Sequence, residues 1–278
     1  MERQKEPVTI LTICGKTDIG KKRHHNEDTF IIGNIIENES EICLDIPLGT
    51  SFIKNYGLLV AVADGMGGHN AGEAASDLAL NLLSRQLMSA RKDRVQSDEI
   101  MNLLRNSIVS AHEAIYNMSI KNPEYSGMGT TIAGLFFCKD TLYTFHAGDS
   151  RVYRLRNGGL FQMTKDHSLV QALVDTGQIT MEELYQHPQK NVITNSLGGG
   201  DSKCEPELTD KYGYFEDDTF LICSDGLTDM VNEEIIVKIL DEHIPIKERV
   251  NNLIAGANEN GGEDNISAVV VQIREMKL

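Results

Sequence analysis

The chain has 278 residues, 41% hydrophobic and 24% charged, ordinary for a globular fold and enough apolar material for one sizeable domain. With 41 acidic against 26 basic residues, the formal net charge is −15, which disfavours nucleic acid and anionic membrane as general partners. No apolar run approaches the ~20 residues needed to span a bilayer, and the polar start from Met1 to Pro7 has no signal-peptide core, so a cytoplasmic protein is expected.

In chain order, residues 8–13, 29–36 and 57–63 are short, apolar and rich in β-branched or aromatic residues, and predict the first strands. A helix is expected over 71–88, with Ala71, Ala74, Ala75, Leu78, Leu82 and Leu83 on one face. A second, over 100–118, repeats the pattern with Leu103, Leu104, Ile108, Ala111 and Ile115 behind an N-cap at Asp98. Strands over 130–137, 141–147 and 151–156 come next. Short helices follow over 168–176 and 181–186, the latter opened by a capping box of Thr180 and Glu183. A strand over 219–223, helices over 233–240 and 246–258, and a strand over 266–273 complete the set.

The runs 57–63 and 266–273 are almost continuously apolar, as strands covered on both faces are. The order does not alternate strand and helix strictly, which favours an α+β layered domain over a doubly wound parallel sheet. No repeat or linker divides the chain, so one domain over 1–278 is expected. The polar stretch 164–214, with Gly198-Gly199-Gly200, reads either as a flap beside a site or as a surface insertion. The five cysteines form no CxxC pair, and their odd number and wide spacing predict buried, reduced thiols, with Cys223 in a core strand.

The chemistry lies in acidic residues at strand ends. Asp64-Gly65 follows the apolar run ending at Ala63, and Asp225-Gly226 follows the run 220–224. Asp149 ends a third strand, Glu263-Asp264-Asn265 precedes a fourth, and Asn26-Glu27-Asp28 opens another. A carboxylate beside a buried strand is costly unless paired or bound to a cation, and few Lys or Arg stand near these acids. Oxygen donors suit hard ions, so Mg²⁺ or Mn²⁺ fits better than zinc. Taken singly, an Asp-Gly is as well read as a turn. Arg23, four residues before Glu27, reads either as a surface ion pair or as a planar clamp for phosphate. Other templates fail: there is no GxSxG, HExxH or CxxxxxR, and Gly15-Lys16-Thr17 lacks the upstream glycine of a P-loop.

At these residues the sequence resembles the bacterial branch of the type 2C (PPM) family of protein phosphatases. The matching stretches run from Thr17-Asp18-Ile19-Gly20 through Arg23 to Asn26-Glu27-Asp28, then Ala61 to Gly68, Gly127-Met128-Gly129-Thr130-Thr131, and His146 to Arg151. Thr164 to Ser168, Asn191 to Thr194 with Leu197-Gly198, Ser224 to Leu227 with Asp229, and Asp264 to Ser267 follow in family order.

The resemblance implies a four-layer αββα sandwich and a metal-dependent serine/threonine phosphatase acting on phosphoproteins, opposing a bacterial serine/threonine kinase. It implies that Asp64, Asp225 and Asp264 hold one Mn²⁺ or Mg²⁺. Glu27, Asp64 and the carbonyl of Gly65 would hold a second, and Asp149, Asp225 and Asp229 a weaker third. Arg23 would bind the substrate phosphate, with 164–214 as the flap. A hydroxide bridging two ions would attack phosphorus directly, with no phospho-enzyme. Eukaryotic members often carry a proton-donating His where this chain, like many bacterial members, has Met66, so the donor is left open; His69 reads as an exposed loop residue. A monomer is expected.

Overall fold

The computed structural model describes residues 8–276 apart from positions 69, 90, 93, 94, 201, 202 and 211. The stretch 1–7 and His69 therefore lie outside the described residues. The chain begins β1 (Val8–Asp18), β2 (Asp28–Ile32), β3 (Ile35–Glu37), β4 (Glu41–Pro47), α1 (Ser51–Tyr56), β5 (Leu58–Met66), α2 (Asn70–Met88) and α3 (Ser97–Lys121). It continues β6 (Gly129–Thr130), β7 (Ile132–Cys138), β8 (Thr141–Ala147), β9 (Arg151–Arg156), β10 (Gly159–Gln162), α4 (Leu169–Asp175), α5 (Met181–Leu184), β11 (Leu197–Gly198) and β12 (Glu207–Thr209). It closes with β13 (Thr219–Cys223), α6 (Asp225–Thr228), α7 (Glu233–Asp241), α8 (Ile246–Glu259) and β14 (Ile266–Met276).

Two antiparallel sheets stack face to face. One has the order β10-β9-β13-β14-β1-β4, and the other runs β11-β6-β5-β7-β8-β12 with the β2–β3 hairpin attached to β5. Strand alternation sends successive side chains to opposite faces, and in the central strands both faces are covered. From β13, Phe220 and Ile222 enter the core between the sheets, while Leu221 and Cys223 face α7 and α8. From β5, Val60 and Val62 enter the central core, while Leu59, Ala61 and Ala63 pack under α2 and α3. From β14, Val269, Val271 and Ile273 likewise enter the central core, while Ile266, Ala268 and Val270 face the α7–α8 side. The two nearly continuous apolar runs are thus explained, and the four-layer αββα sandwich is the fold found.

Several local expectations are corrected. The expected strand 29–36 is the hairpin β2–β3, turning at Gly33 with φ 68°. Helix α3 starts at Ser97, three residues before the expected start, with Gln96 as N-cap in place of Asp98, and Glu99 Oε2 accepts the Gln96 N–H at 3.0 Å. The buried stripe of α2 is Ala71, Gly72, Ala75, Ser76, Ala79, Leu80, Leu83, Ser84 and Leu87, so Ala74, Leu78 and Leu82 lie at its margin. Small residues bring α2 close enough for Ser76 Oγ to donate to the Glu27 carbonyl at 2.7 Å.

The cysteines are not all reduced. The β1–β4 register sets Cys14 opposite Cys43, and the two are joined by a disulfide; Cys138, Cys204 and Cys223 are free and buried. A separation of 29 residues hid a pair that the register makes adjacent. Among the described residues, no helix is long and apolar enough to cross a membrane.

Candidate metal centre

The antiparallel registers carry the acids to one edge of the sandwich. Asp28 at the start of β2 lies directly opposite Asp64 near the end of β5. Cys223 at the end of β13 pairs with Ala268 near the start of β14, so Asp225 just after β13 and Asp264 just before β14 are neighbours. Asp149 follows β8. All are within electrostatic reach of one another: Asp64 feels Asp28, Asp225, Asp149 and Asp264.

Backbone clamps hold these residues in place. The Asp64 N–H donates to Thr131 Oγ1 at 3.1 Å, and its carbonyl accepts from the Thr131 N–H at 2.8 Å and Thr130 Oγ1 at 2.9 Å. The glycines allow backbones to meet. A Cβ at Gly65 would lie 2.2 Å from the Gly72 carbonyl oxygen, and one at Gly72 would lie 2.3 Å from Glu27 Oε2, so the Glu27 carboxylate sits against the start of α2. A Cβ at Gly226 would lie 2.0 Å from the Asn265 carbonyl oxygen. Gly226→Ala is therefore expected to lower stability by about 2–3 kcal/mol, roughly 5–10 °C in Tm, and an unchanged melt would contradict this packing.

Two residues given no role at the sequence level emerge here. Asn265 is buried and accepts the Glu27 N–H on Oδ1 at 2.8 Å. Its Nδ2 donates to the carbonyls of Ile19 and His25, both at 2.9 Å, so it pins both ends of the loop that carries Arg23. Asp28, 1% exposed, lies beneath the cluster and accepts from Ser224 Oγ at 2.7 Å. An Asn directly after a carboxylate at a strand start was the available signal for Asn265. For Asp28 only the β2–β5 register separates it from Glu27.

Arg23 Nη2 donates to Asp264 Oδ2 at 2.6 Å, which places a guanidinium at the rim of the cluster. Asp229, at the C-cap of α6, pairs with Lys190 at 2.6 Å. His146 and His167 stack with ring centres 4.5 Å apart, and Glu207 lies 3.4 Å from His167 Nε2. Their rings are inclined by only 26°, so their in-plane lone pairs do not converge on one ion. The trio instead ties the segment after β10 to β8, with His167 Nδ1 facing the Gly148 N–H at 3.3 Å.

The electrostatics are those of acids crowded together. Burial, then the charges of Asp28 and Asp225, pushes the Asp64 carboxyl well above the usual carboxylate range. Burial likewise raises Asp149. Burial raises Asp28 to about 7 against its hydroxyl hydrogen bonds, and burial with the charges of Asp264 and Asp229 raises Asp225 to about 6. Asp28 Oδ1, Asp149 Oδ1 and Asp225 Oδ1 are buried with no hydrogen-bond partner among the described residues. Buried acceptors left without donors, on oxygen-only side chains, fit hard divalent cations.

Carboxyls raised in the folded state keep protons that the unfolded chain releases. The metal-free protein is therefore expected to lose stability as pH rises from about 4, the unfolded value, to about 7, the folded value of Asp28. The loss is on the order of 3 kcal/mol, and saturating Mn²⁺ at neutral pH should recover it. Thermal melts across this window check the sign; a metal-free Tm that climbs with pH would refute it.

Comparison with known proteins gives the family. The profile described as protein phosphatase 2C matches residues 39–259. A serine/threonine phosphatase stp of Listeria welshimeri is 37% identical over 257 residues, covering 92% of this chain and 94% of that protein. The structure of the S. agalactiae serine/threonine phosphatase superposes with a TM-score of 0.82 at 34% identity, covering 94% of this chain and 99% of that one. The catalytic domain of the phosphatase PstP, solved with two manganese ions, superposes with a TM-score of 0.74 at 32% identity, covering 96% of this chain and 99% of that one. The chain belongs to the protein phosphatase 2C family, among its bacterial serine/threonine phosphatases.

Proposed function

We propose that the clustered carboxylates form a two-cation centre with which the protein hydrolyses phosphoserine and phosphothreonine on protein substrates. The observation that carries this reading is the set of buried, partnerless carboxylate oxygens on Asp28, Asp149 and Asp225 around the buried Asp64. Asp64, Asp225 and Asp264 are assigned to one cation, and Glu27, Asp64 and the Gly65 carbonyl to the second. Asp149, Asp225 and Asp229 are assigned to a weaker third. Mn²⁺ or Mg²⁺ suits this donor set, and PstP with its two manganese ions supports the count. When bound, such a pair supplies Lewis acidity, lowering the pKa of water and neutralising phosphate charge.

The chain's own residues do the rest. Arg23, beside Asp264, presents a planar fork that orients the phosphate and shares its developing charge. Asn265 and Thr131 keep the loop of Glu27 and the backbone of Asp64 from moving as charge builds. Met66 has no proton to give the departing oxygen. We further infer a cytoplasmic monomer that opposes a serine/threonine kinase.

The test is release of inorganic phosphate from a phosphothreonine peptide. Activity is expected with Mn²⁺, to vanish on chelation and to return when Mn²⁺ is restored. Hydrolysis that survives thorough chelation overturns the reading.

A further inference from the structure

The carboxyls assigned to the third cation meet a lysine. A small cavity of about 30 Å³ is lined by Asp149, Asp225 and Asp229 together with Arg151, Asp166 and Lys190. That is room for about two water-sized occupants. Asp149 is 7% exposed, and its Oδ1 has no partner among the described residues. Of the two cationic side chains lining the cavity, Arg151 is committed to Asp166 through hydrogen bonds of 2.9, 3.1 and 2.7 Å. Lys190 is the other, and its Nζ donates to Asp229 Oδ2 at 2.6 Å. Lys190 lies between α5 and β11, whereas Asp229 caps α6 behind β13, so the pair joins the 164–214 segment to the wall of the metal centre.

We propose that Lys190 is a built-in competitor for the third cation: its ammonium holds Asp229 and latches this segment shut, and a divalent ion at Asp149, Asp225 and Asp229 displaces it and releases the latch. An ion entering the cavity meets both an occupied ligand and a like charge, and each lowers its affinity. The side chains of the pair are 36% and 33% exposed, so the exchange needs no opening of the core. This inference rests on the two-cation reading, and makes Lys190 a positioning residue that couples ion occupancy to the mobility of its segment.

The test counts Mn²⁺ ions by calorimetry in the wild type, Lys190→Met and Lys190→Arg, alongside amide hydrogen exchange over 181–195. All three should bind the tight pair. The third ion should bind Lys190→Met about three- to tenfold more tightly than the wild type, with Lys190→Arg close to the wild type. Exchange over 181–195 should rise in the wild type as the third ion binds, and should already be high in Lys190→Met without it. Equal third-ion affinity in Lys190→Met and wild type, or no third ion in either, overturns the latch while the tight pair leaves the core reading standing. Absence of the tight pair from the wild type overturns both.

Discussion

Asp225→Asn lowers kcat/KM on a phosphothreonine peptide by at least about 10³-fold, because Asp225 belongs to both the first and the third proposed cation sets. The substitution keeps the shape of the side chain but exchanges one anionic oxygen for an amide that repels a cation. Its effect on the fold has the opposite sign. In the metal-free protein Asp225 is crowded by Asp264 and Asp229 and already raised to about 6, so removing its charge relieves repulsion. Metal-free Asp225→Asn is therefore expected to melt at or above the wild-type temperature near neutral pH. The rise in Tm that Mn²⁺ gives the wild type should largely disappear, since a ligand stabilises only in proportion to its affinity for the folded state. Kinetics and melts together separate this from simple misfolding: loss of activity with a depressed metal-free Tm would mean damage to the fold, and full activity would remove Asp225 from the centre.

Much of the centre was legible because each acid ends or begins a strongly apolar strand. A strand buried on both faces carries its end residue to the rim of the core, so Asp64, Asp225 and Asp264 stood out as rim carboxylates, while their meeting at one edge was implied only by the family resemblance. What stayed hidden depended on register or on long-range pairing. Glu27 and Asp28 look alike in sequence, yet pairing of β2 with β5 sends Asp28 beneath the cluster opposite Asp64. Strand β4 alternates Ile42, Leu44 and Ile46 with Glu41, Cys43, Asp45 and Pro47, a period-two signal that sequence reasoning missed, and the Cys14–Cys43 bond was missed with it. The α2 stripe was misjudged because Gly72 and Ser76 lie inward for close approach and hydrogen bonding, not for hydrophobicity. Lys190 and Asp229, 39 residues apart, carry no local signature at all.

Arg23→Ala should lower kcat/KM by about 10²-fold, the loss expected when one preorganised donor to a developing charge is removed. Lysine at this position should recover little of it, because a point charge on a flexible stem does not reproduce a planar fork. Stability should hardly move: the Arg23–Asp264 pair is 52% and 37% exposed, and water screens most of its worth. The metal requirement should move in the favourable direction. Arg23 donates to a carboxylate assigned to a cation, so its removal frees Asp264 and withdraws a like charge from the rim. Half-saturating Mn²⁺ should therefore fall while catalysis falls, a combination that general damage to the centre does not produce. If Arg23→Ala instead demanded more Mn²⁺, its guanidinium would be organising the cation ligands, and the phosphate-binding role would have to be given up.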